Sequence, residues 1–159
     1  MTLSLDGKTR HLRSFGEFSS SLDEVFSLKT GNENHVKAAW LALAQEGDAA
    51  PVSFLDVSAN LNISLGGAVW FTGDAESERI RKETKSDIGD HFWVSEGDRV
   101  PEGDTTVFSD HYAPSYFDPR GLIPLDHLRK VIEEFFRTGG NRPNSVHWVA
   151  GNQNGTRFD

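Results

Sequence analysis

Apolar and polar positions alternate with helical spacing in the last third of the chain, and then with strand spacing. Across residues 125–136 the leucine, valine, isoleucine and phenylalanine side chains fall on one stripe, with charged side chains opposite. Pro124 suits the start of such a helix, and Gly139 can end it in the left-handed conformation. Residues 145–150 then alternate with a period of two, with Trp148 on the more apolar face. The pattern predicts a C-terminal unit of helix, Gly/Pro turn and strand.

Shorter alternating runs upstream predict an antiparallel sheet. Residues 52–65 and 68–72 are two candidate strands, and the intervening Gly66-Gly67 pair is typical of a hairpin turn. Further strands are expected at residues 3–5, 91–94 and 105–108.

The segment at residues 35–45 fits either a helix or a strand. Its alanines and the spacing of Val36, Trp40 and Leu43 favour a helix, whereas every second residue from Val36 to residue 42 is also apolar. We expect a helix here. Another helix is expected to begin near residues 19–21, where serines precede acidic residues.

The elements together predict a single α+β domain over residues 1–159. Its mostly antiparallel sheet is expected to contain about five to six strands. Helices should pack on one face of this sheet, with the C-terminal unit as part of the core. A length of 159 residues and an aromatic content of 11% are sufficient for an ordinary hydrophobic core.

Charge and composition narrow the classes of function. The chain has no cysteine, which excludes disulfides and thiolate metal sites. Its net charge is −8, whereas nucleic-acid binding needs clustered Lys and Arg. No apolar run reaches the roughly 20 residues of a membrane helix, and the N-terminus lacks the pattern of a secretory signal. The absence of cysteine fits a reducing cytoplasm, and we expect a protein that binds neither membranes nor nucleic acid.

Acidic residues are concentrated between residues 74 and 104. That stretch contains ten acidic and five basic residues. Its last part, the acidic loop (residues 96–104), contains four acids against Arg99. Two interpretations are open: the loop is a solvated hairpin connection, or it fills a basic groove on a partner. A negative net charge by itself also keeps a small protein soluble.

Candidate catalytic chemistry is sparse. Metal sites combine His with Asp or Glu, but adjacent residues on a strand face opposite sides, so each Asp-His dipeptide offers one ligand inward. The sequence has no His-Glu-x-x-His motif, nucleophile elbow or phosphate-binding loop. We predict no catalytic residue, no metal ligand and no cofactor, and a metal-dependent hydrolase built on the Asp-His pairs is an alternative. The pairs are Asp90-His91, Asp110-His111 and Asp126-His127.

The C-terminal unit resembles the end of a known family. Residues 123–148 contain an Ile-Pro helix start, an apolar helix ending in Glu-Glu-Phe-Phe-Arg-Thr-Gly-Gly, then Arg-Pro and Val-x-Trp. This order is similar to the type-one immunity protein family of bacterial polymorphic-toxin systems, whose members end with such a helix, a proline and a Val-Glu-Trp strand. The chain departs from that pattern at His147, which replaces the acid. If the acid contacts the toxin in other members, the contact or the target of this chain differs.

The resemblance implies an α+β, non-enzymatic, cytoplasmic antidote that binds a toxin made by the same cell. Toxins paired with this family are often nuclease-like or deaminase-like, and a toxin that acts on nucleic acid needs a basic groove. The implied partner is a cognate toxin domain whose basic groove is occluded by an acidic surface, and the protein is expected to be a monomer or a toxin heterodimer. A binding module for a basic peptide is a further alternative. The residues expected to contact the partner are Asp90, Trp93 as an anchor, Glu96, Asp98, Glu102, Asp104, Asp110 and His147.

Overall fold

Antiparallel strands and two amphipathic helices account for most of the chain that the structure describes. The structure, a computed structural model, describes residues 2–5, 8–26, 36–43, 53–74, 77–78, 81–82, 92–110 and 115–159. The helices are α1 (Phe15–Phe26) and α2 (Leu125–Arg137), and a 3₁₀ turn lies at Pro119–Gly121. The strands are β1 (Thr2–Leu5), β2 (Lys8–His11), β3 (Val36–Leu43), β4 (Ser53–Asn60), β5 (Leu65–Thr72), β6 (Phe92–Glu96), β7 (Phe108–Asp110), β8 (Ser115–Tyr116), β9 (Ile123–Pro124) and β10 (His147–Gly151).

Eight of these strands form one antiparallel sheet. Its order is β10-β6-β5-β4-β3-β1-β2, and β9 pairs with β5 on the edge that β6 also uses. Strands β7 and β8 form a separate antiparallel ribbon. These pairings confirm the predicted α+β fold with a mostly antiparallel sheet. The described sheet has more strands than expected because β3 and the short strands β2 and β9 also join it. The strand expected at residues 105–108 does not: β7 lies at Phe108–Asp110 and belongs to the separate ribbon.

The expectation of a helix at residues 35–45 is wrong. Strand β3 occupies Val36–Leu43 and pairs antiparallel with β4 along its whole length and with β1 at its C-terminal half. A strand between two neighbours forms backbone hydrogen bonds on both edges, and this tertiary pairing outweighs the helical preference of its alanines. The alternation with a period of two was the informative signal.

The hairpin of β4 and β5 turns at residues 61–64, not at Gly66-Gly67 as expected. Ser64 adopts a positive φ of 56°, and the Asn60 side chain accepts a hydrogen bond from the Asn62 N–H at 3.1 Å. The two glycines lie inside β5, where they allow close approach. A Cβ on Gly67 would lie 2.5 Å from the Phe117 ring.

Helix α1 begins four residues before the predicted start. The Ser14 hydroxyl accepts a hydrogen bond from the Glu17 N–H at 3.3 Å, and the Glu17 carboxylate accepts one from the Arg13 N–H at 2.8 Å. The first bond caps a free N–H of the first turn, and the second fixes the residue that precedes the cap. Ser21, expected near the start, lies within the helix and donates to the Glu17 carbonyl.

The two helices pack on the same face of the sheet, as predicted. Phe18 of α1 stacks on Phe136 of α2 with ring centroids 4.2 Å apart. Beneath them, Leu55 of β4 and Trp70 of β5 are fully buried together with Phe135. Among the described residues, no helix combines the length and apolar character needed to cross a membrane.

The opposite face of the sheet is covered by the chain between β6 and α2. Val107, Phe117 and Leu122 from that segment are buried against Val69 of β5 and Val94 of β6. Because both sheet faces are covered, the central strands are buried on both sides. The covering segment includes the acidic loop, so this second core determines where that loop lies.

The predicted C-terminal unit is present and tied to the sheet. The indole N–H of Trp70 donates to the Gly140 carbonyl at 3.0 Å, which fixes the end of α2. The indole N–H of Trp148 donates to the Pro143 carbonyl at 2.7 Å, which fixes the following turn. Gly139 and Gly140 both have a positive φ, as expected for the end of a helix.

Candidate functional site

A groove of about 850 Å³ opens at one end of the sheet. β5 begins there, β6 ends there and β10 begins there, so antiparallel pairing brings distant parts of the chain to this edge. The lining residues are Ile63, Leu65, Glu96, Asp98, Arg99, Val100, Pro101, Glu102, Leu122, Ile123, Pro124, His127, Asn144, Ser145, Val146 and His147. The volume lies within the range of ordinary ligand and partner pockets.

The acidic loop forms one wall of this groove and is fixed at both ends. At its start, the Gly97 N–H donates to the Arg120 carbonyl at 2.8 Å, and a Cβ on Gly97 would collide with the Leu122 carbonyl oxygen. At its end, the Asp104 carboxylate accepts a hydrogen bond from the Thr106 N–H at 2.8 Å. Hydrogen bonding from the Thr106 side chain, and then from this N–H, lowers the pKa of Asp104. The loop therefore presents its side chains from a defined backbone.

The carboxylates of this wall differ in their surroundings. Glu96 forms an ion pair of 3.0 Å with Arg157, whose side chain is only 3% exposed. Within the part of the chain that the structure describes, Asp98 and Glu102 are exposed and form no ion pair. The free charge of the wall therefore comes from these two carboxylates, with the exposed Arg99 between them.

The C-terminal tail contacts this wall without lining the groove. Arg157 also binds the Asp159 carboxylate at 2.8 Å, and its hydrogen bonds to Asp159 and Glu96 raise the pKa of Arg157. Arg120 donates to the Asp159 backbone carbonyl at 2.9 Å. These contacts tie the end of the chain to the strand that carries Glu96.

A second wall, which adjoins the first, is formed by residues 144–147 and His127. His147 is exposed and lies opposite Glu96 in the pairing of β10 with β6. The backbone N–H groups of Asn144 and Ser145 donate to the Glu134 carboxylate at 2.8 and 2.9 Å. This wall is therefore held by helix α2.

Four of the residues expected to contact a partner line this one groove. They are Glu96, Asp98, Glu102 and His147. Sequence reasoning missed His127 and the apolar floor. His127 stood out only as part of an Asp-His pair, whereas a floor assembled from several segments has no local sequence signal.

The other expected contact residues lie elsewhere. Asp104 is exposed at the end of the acidic loop, beyond the groove. Trp93 is half-buried and packs on the helix side of the sheet, next to Arg142. Asp110 ends β7, and Asp90 lies outside the described residues. The expected residues thus do not form one contiguous cluster.

Of the three Asp-His pairs, only Asp126-His127 lies wholly within the described residues. Asp126 is exposed in the first turn of α2, and its neighbour His127 faces the groove. No group of three or more His, Asp or Glu side chains in the described part of the chain is arranged to hold a metal ion. The groove lining combines three carboxylates and the Arg99 guanidinium with apolar side chains.

Comparison with known families identifies one match. The family model described as immunity protein Imm1 matches residues 6–150. The match extends far beyond residues 123–148, on which the resemblance in the sequence is based, and it includes the acidic loop and both walls of the groove. Comparison with curated proteins and with solved structures gave no significant match.

Proposed function

The chain belongs to the Imm1 family of immunity proteins, and from this we propose that it binds and neutralises a cognate toxin. The family match over residues 6–150 is the observation that carries the proposal. We propose further that the toxin is a deaminase or nuclease directed at nucleic acid, and that the chain occludes its substrate groove. The inhibitor acts by occupying the groove in the cytoplasm, without a cofactor and without catalysing a reaction.

Charge complementarity supports this mode of inhibition. A toxin that grips nucleic acid needs Lys and Arg side chains to meet the phosphates. The chain has a net charge of −8, and the acidic loop exposes Asp98, Glu102 and Asp104. Opposite charges steer two proteins together and raise their association rate, most strongly at low salt. The acidic loop is therefore the surface that we expect to meet the basic groove.

The fixed backbone of the acidic loop also supports the proposal. A loop that is ordered before binding loses less conformational entropy when the complex forms. The hydrogen bonds at Gly97 and Asp104 provide this order at the two ends. The acidic loop is therefore ordered at both ends before a partner binds.

The test is binding to the toxin domain encoded beside the gene for this chain. Asp98, Glu102 and Asp104 are changed together to Ala, and the association rate is measured by stopped flow at low and at high salt. We expect a rate at low salt that is about tenfold or more lower than that of the unmodified chain, and a weaker dependence on salt. Growth of cells that express the toxin reports neutralisation.

The matched control removes the same number of negative charges elsewhere. Asp23, Asp74 and Glu78 are exposed and lie on α1 or past the far end of β5. Their change to Ala should leave the association rate close to that of the unmodified chain. Equal effects of the two triple variants would reject the acidic loop as the contact surface. Stoichiometric metal in the purified protein would instead favour the metal-dependent hydrolase.

A further inference from the structure

The groove beside the acidic loop has an apolar floor and a partly exposed apolar lining. Leu122 and Ile123 are 1% exposed and form its base. Ile63, Leu65 and Val146 also line the groove and are only partly buried, since each packs on one side against a core and keeps part of its surface exposed. Apolar surface that remains exposed inside a groove favours a partner that covers it.

The walls of the groove are fixed by contacts between distant segments. The Ser95 hydroxyl donates to the Gly121 carbonyl at 2.7 Å, and the Leu125 N–H donates to the Ser64 carbonyl at 3.2 Å. Together with the Glu134 contacts to residues 144 and 145, these bonds hold both sides at a defined spacing. The groove is therefore present before a partner binds, which lowers the entropic cost of binding.

The charged groups of the groove favour a cation. The lining has three carboxylates against the single guanidinium of Arg99. Arg157 already neutralises Glu96, whereas Asp98 and Glu102 form no ion pair among the described residues. A purely apolar occupant would remove water from these two carboxylates without replacing its hydrogen bonds, which costs free energy.

We propose that the groove receives an arginine side chain of the toxin. The guanidinium lies between the Asp98 and Glu102 carboxylates, and the alkyl stem covers Leu65 and Val146. Arginine fits better than lysine because its planar group can bind two carboxylates and can stack on the imidazole of His147. This inference rests on the proposed function and names the toxin group that this groove recognises.

Photocrosslinking locates the contact on the toxin. A benzoylphenylalanine replaces Val100, which is 54% exposed at the rim of the groove, and the probe is the catalytically inactivated toxin domain encoded beside the gene. We expect the captured toxin peptide to contain an arginine. The same crosslinker at Ser20, exposed on α1, should capture none of that peptide. A captured peptide without arginine would overturn the proposal.

A double-mutant cycle tests the ion pair. The captured arginine is changed to Ala in the toxin, and Glu102→Gln is introduced in this chain. Each change alone should weaken binding about tenfold or more, and the two together should weaken it little further than one alone. Glu78→Gln, at an exposed site remote from the groove, is the control and should combine independently. Effects that multiply at Glu102 would overturn the proposal.

A variant whose groove is filled distinguishes a failure of this inference from a failure of the proposed function. Ser145 is exposed and lines the groove, so Ser145→Trp should occupy it and weaken toxin binding about tenfold or more. Thermal unfolding of the variant verifies that the fold is retained. If Ser145→Trp binds the toxin normally, the groove is not the contact while the immunity function stands. If the unmodified chain fails to bind the toxin, the proposed function itself fails.

Discussion

The guanidinium of Arg142 lies 4.4 Å from the centroid of the Trp93 ring. It is also 5.9 Å from the centroid of Trp70, and its Nη1 atom is buried with no hydrogen-bond partner among the described residues. Burial lowers the pKa of Arg142. The aromatic faces therefore replace the acceptors that a buried cation normally requires. Trp93 thus has a packing role on the helix side, and its part in toxin binding stays a prediction.

This arrangement predicts an energetic coupling between Arg142 and Trp93. Each residue is changed to Ala, singly and together, and the free energy of unfolding is measured in urea. The coupling should be about 1–2 kcal/mol, because the cation is partly removed from water. The exposed pair of Arg137 and Phe15, with 4.9 Å between guanidinium and ring centroid, is the control. Its coupling should be about 0.5 kcal/mol, and equal couplings would contradict this account.

Glycine inside β5 gives a second prediction. Gly67→Ala should lower the free energy of unfolding by about 1–3 kcal/mol, because the new methyl group meets the Phe117 ring at 2.5 Å. Gly16→Ala is the matched control, since its methyl group would be 3.9 Å from the Ser14 hydroxyl oxygen, an ordinary contact, and Gly16 lies in helix α1. That change should stabilise the protein by about 0.5–1 kcal/mol. Urea unfolding of both variants checks the opposite signs.

Asp159 predicts a dependence of stability on pH. Its hydrogen bond with Arg157 lowers the pKa of Asp159 from 3.8 to about 2. The folded state therefore favours the ionised form, and this stabilisation is present above about pH 4 and is lost as pH falls through 2. Asp159→Asn removes it, so the variant should be less stable than the unmodified chain at pH 7 and nearly equal at pH 2. A difference in melting temperature that does not change with pH would contradict the assignment.

The C-terminal unit could be predicted from the sequence because its signals are local. The apolar stripe of residues 125–136 and the alternation of residues 145–150 both reflect burial against the same core. In contrast, β3 depends on pairing with neighbours on both sides, which the sequence of residues 36–43 does not contain. The Gly66-Gly67 pair led to a wrong position for the hairpin turn. Glycine is favoured both in a tight turn and where a side chain packs closely on the backbone, so the pair alone does not distinguish the two.

The groove could be predicted only in part. Four acidic residues within nine positions indicate an exposed charged loop, and the acidic loop does form one wall. The second wall and the floor come from three other segments, near residues 63–65, 122–127 and 144–147. These segments converge because β5, β6 and β10 are antiparallel neighbours in the sheet. The sequence of any one segment does not predict which strands will be its neighbours. The ion pair of Glu96 with Arg157, which lies 61 residues away along the chain, could not be predicted from the sequence either.

Glu134 predicts a link between the C-terminal unit and toxin binding. Its two carboxylate oxygens accept hydrogen bonds from the N–H groups of Asn144 and Ser145. The side-chain amide introduced by Glu134→Gln has only one acceptor oxygen and carries an NH₂ group in place of the other. One backbone N–H then loses its acceptor, and the free energy of unfolding should fall by about 1 kcal/mol, because these bonds are exposed to water. The groove wall at residues 144–147 should shift, and toxin affinity should fall about threefold to tenfold.

Lys130→Gln, exposed on the same helix, is the control and should alter neither value. If calorimetry shows unchanged affinity for Glu134→Gln while its stability falls, Glu134 supports the fold without positioning the binding wall.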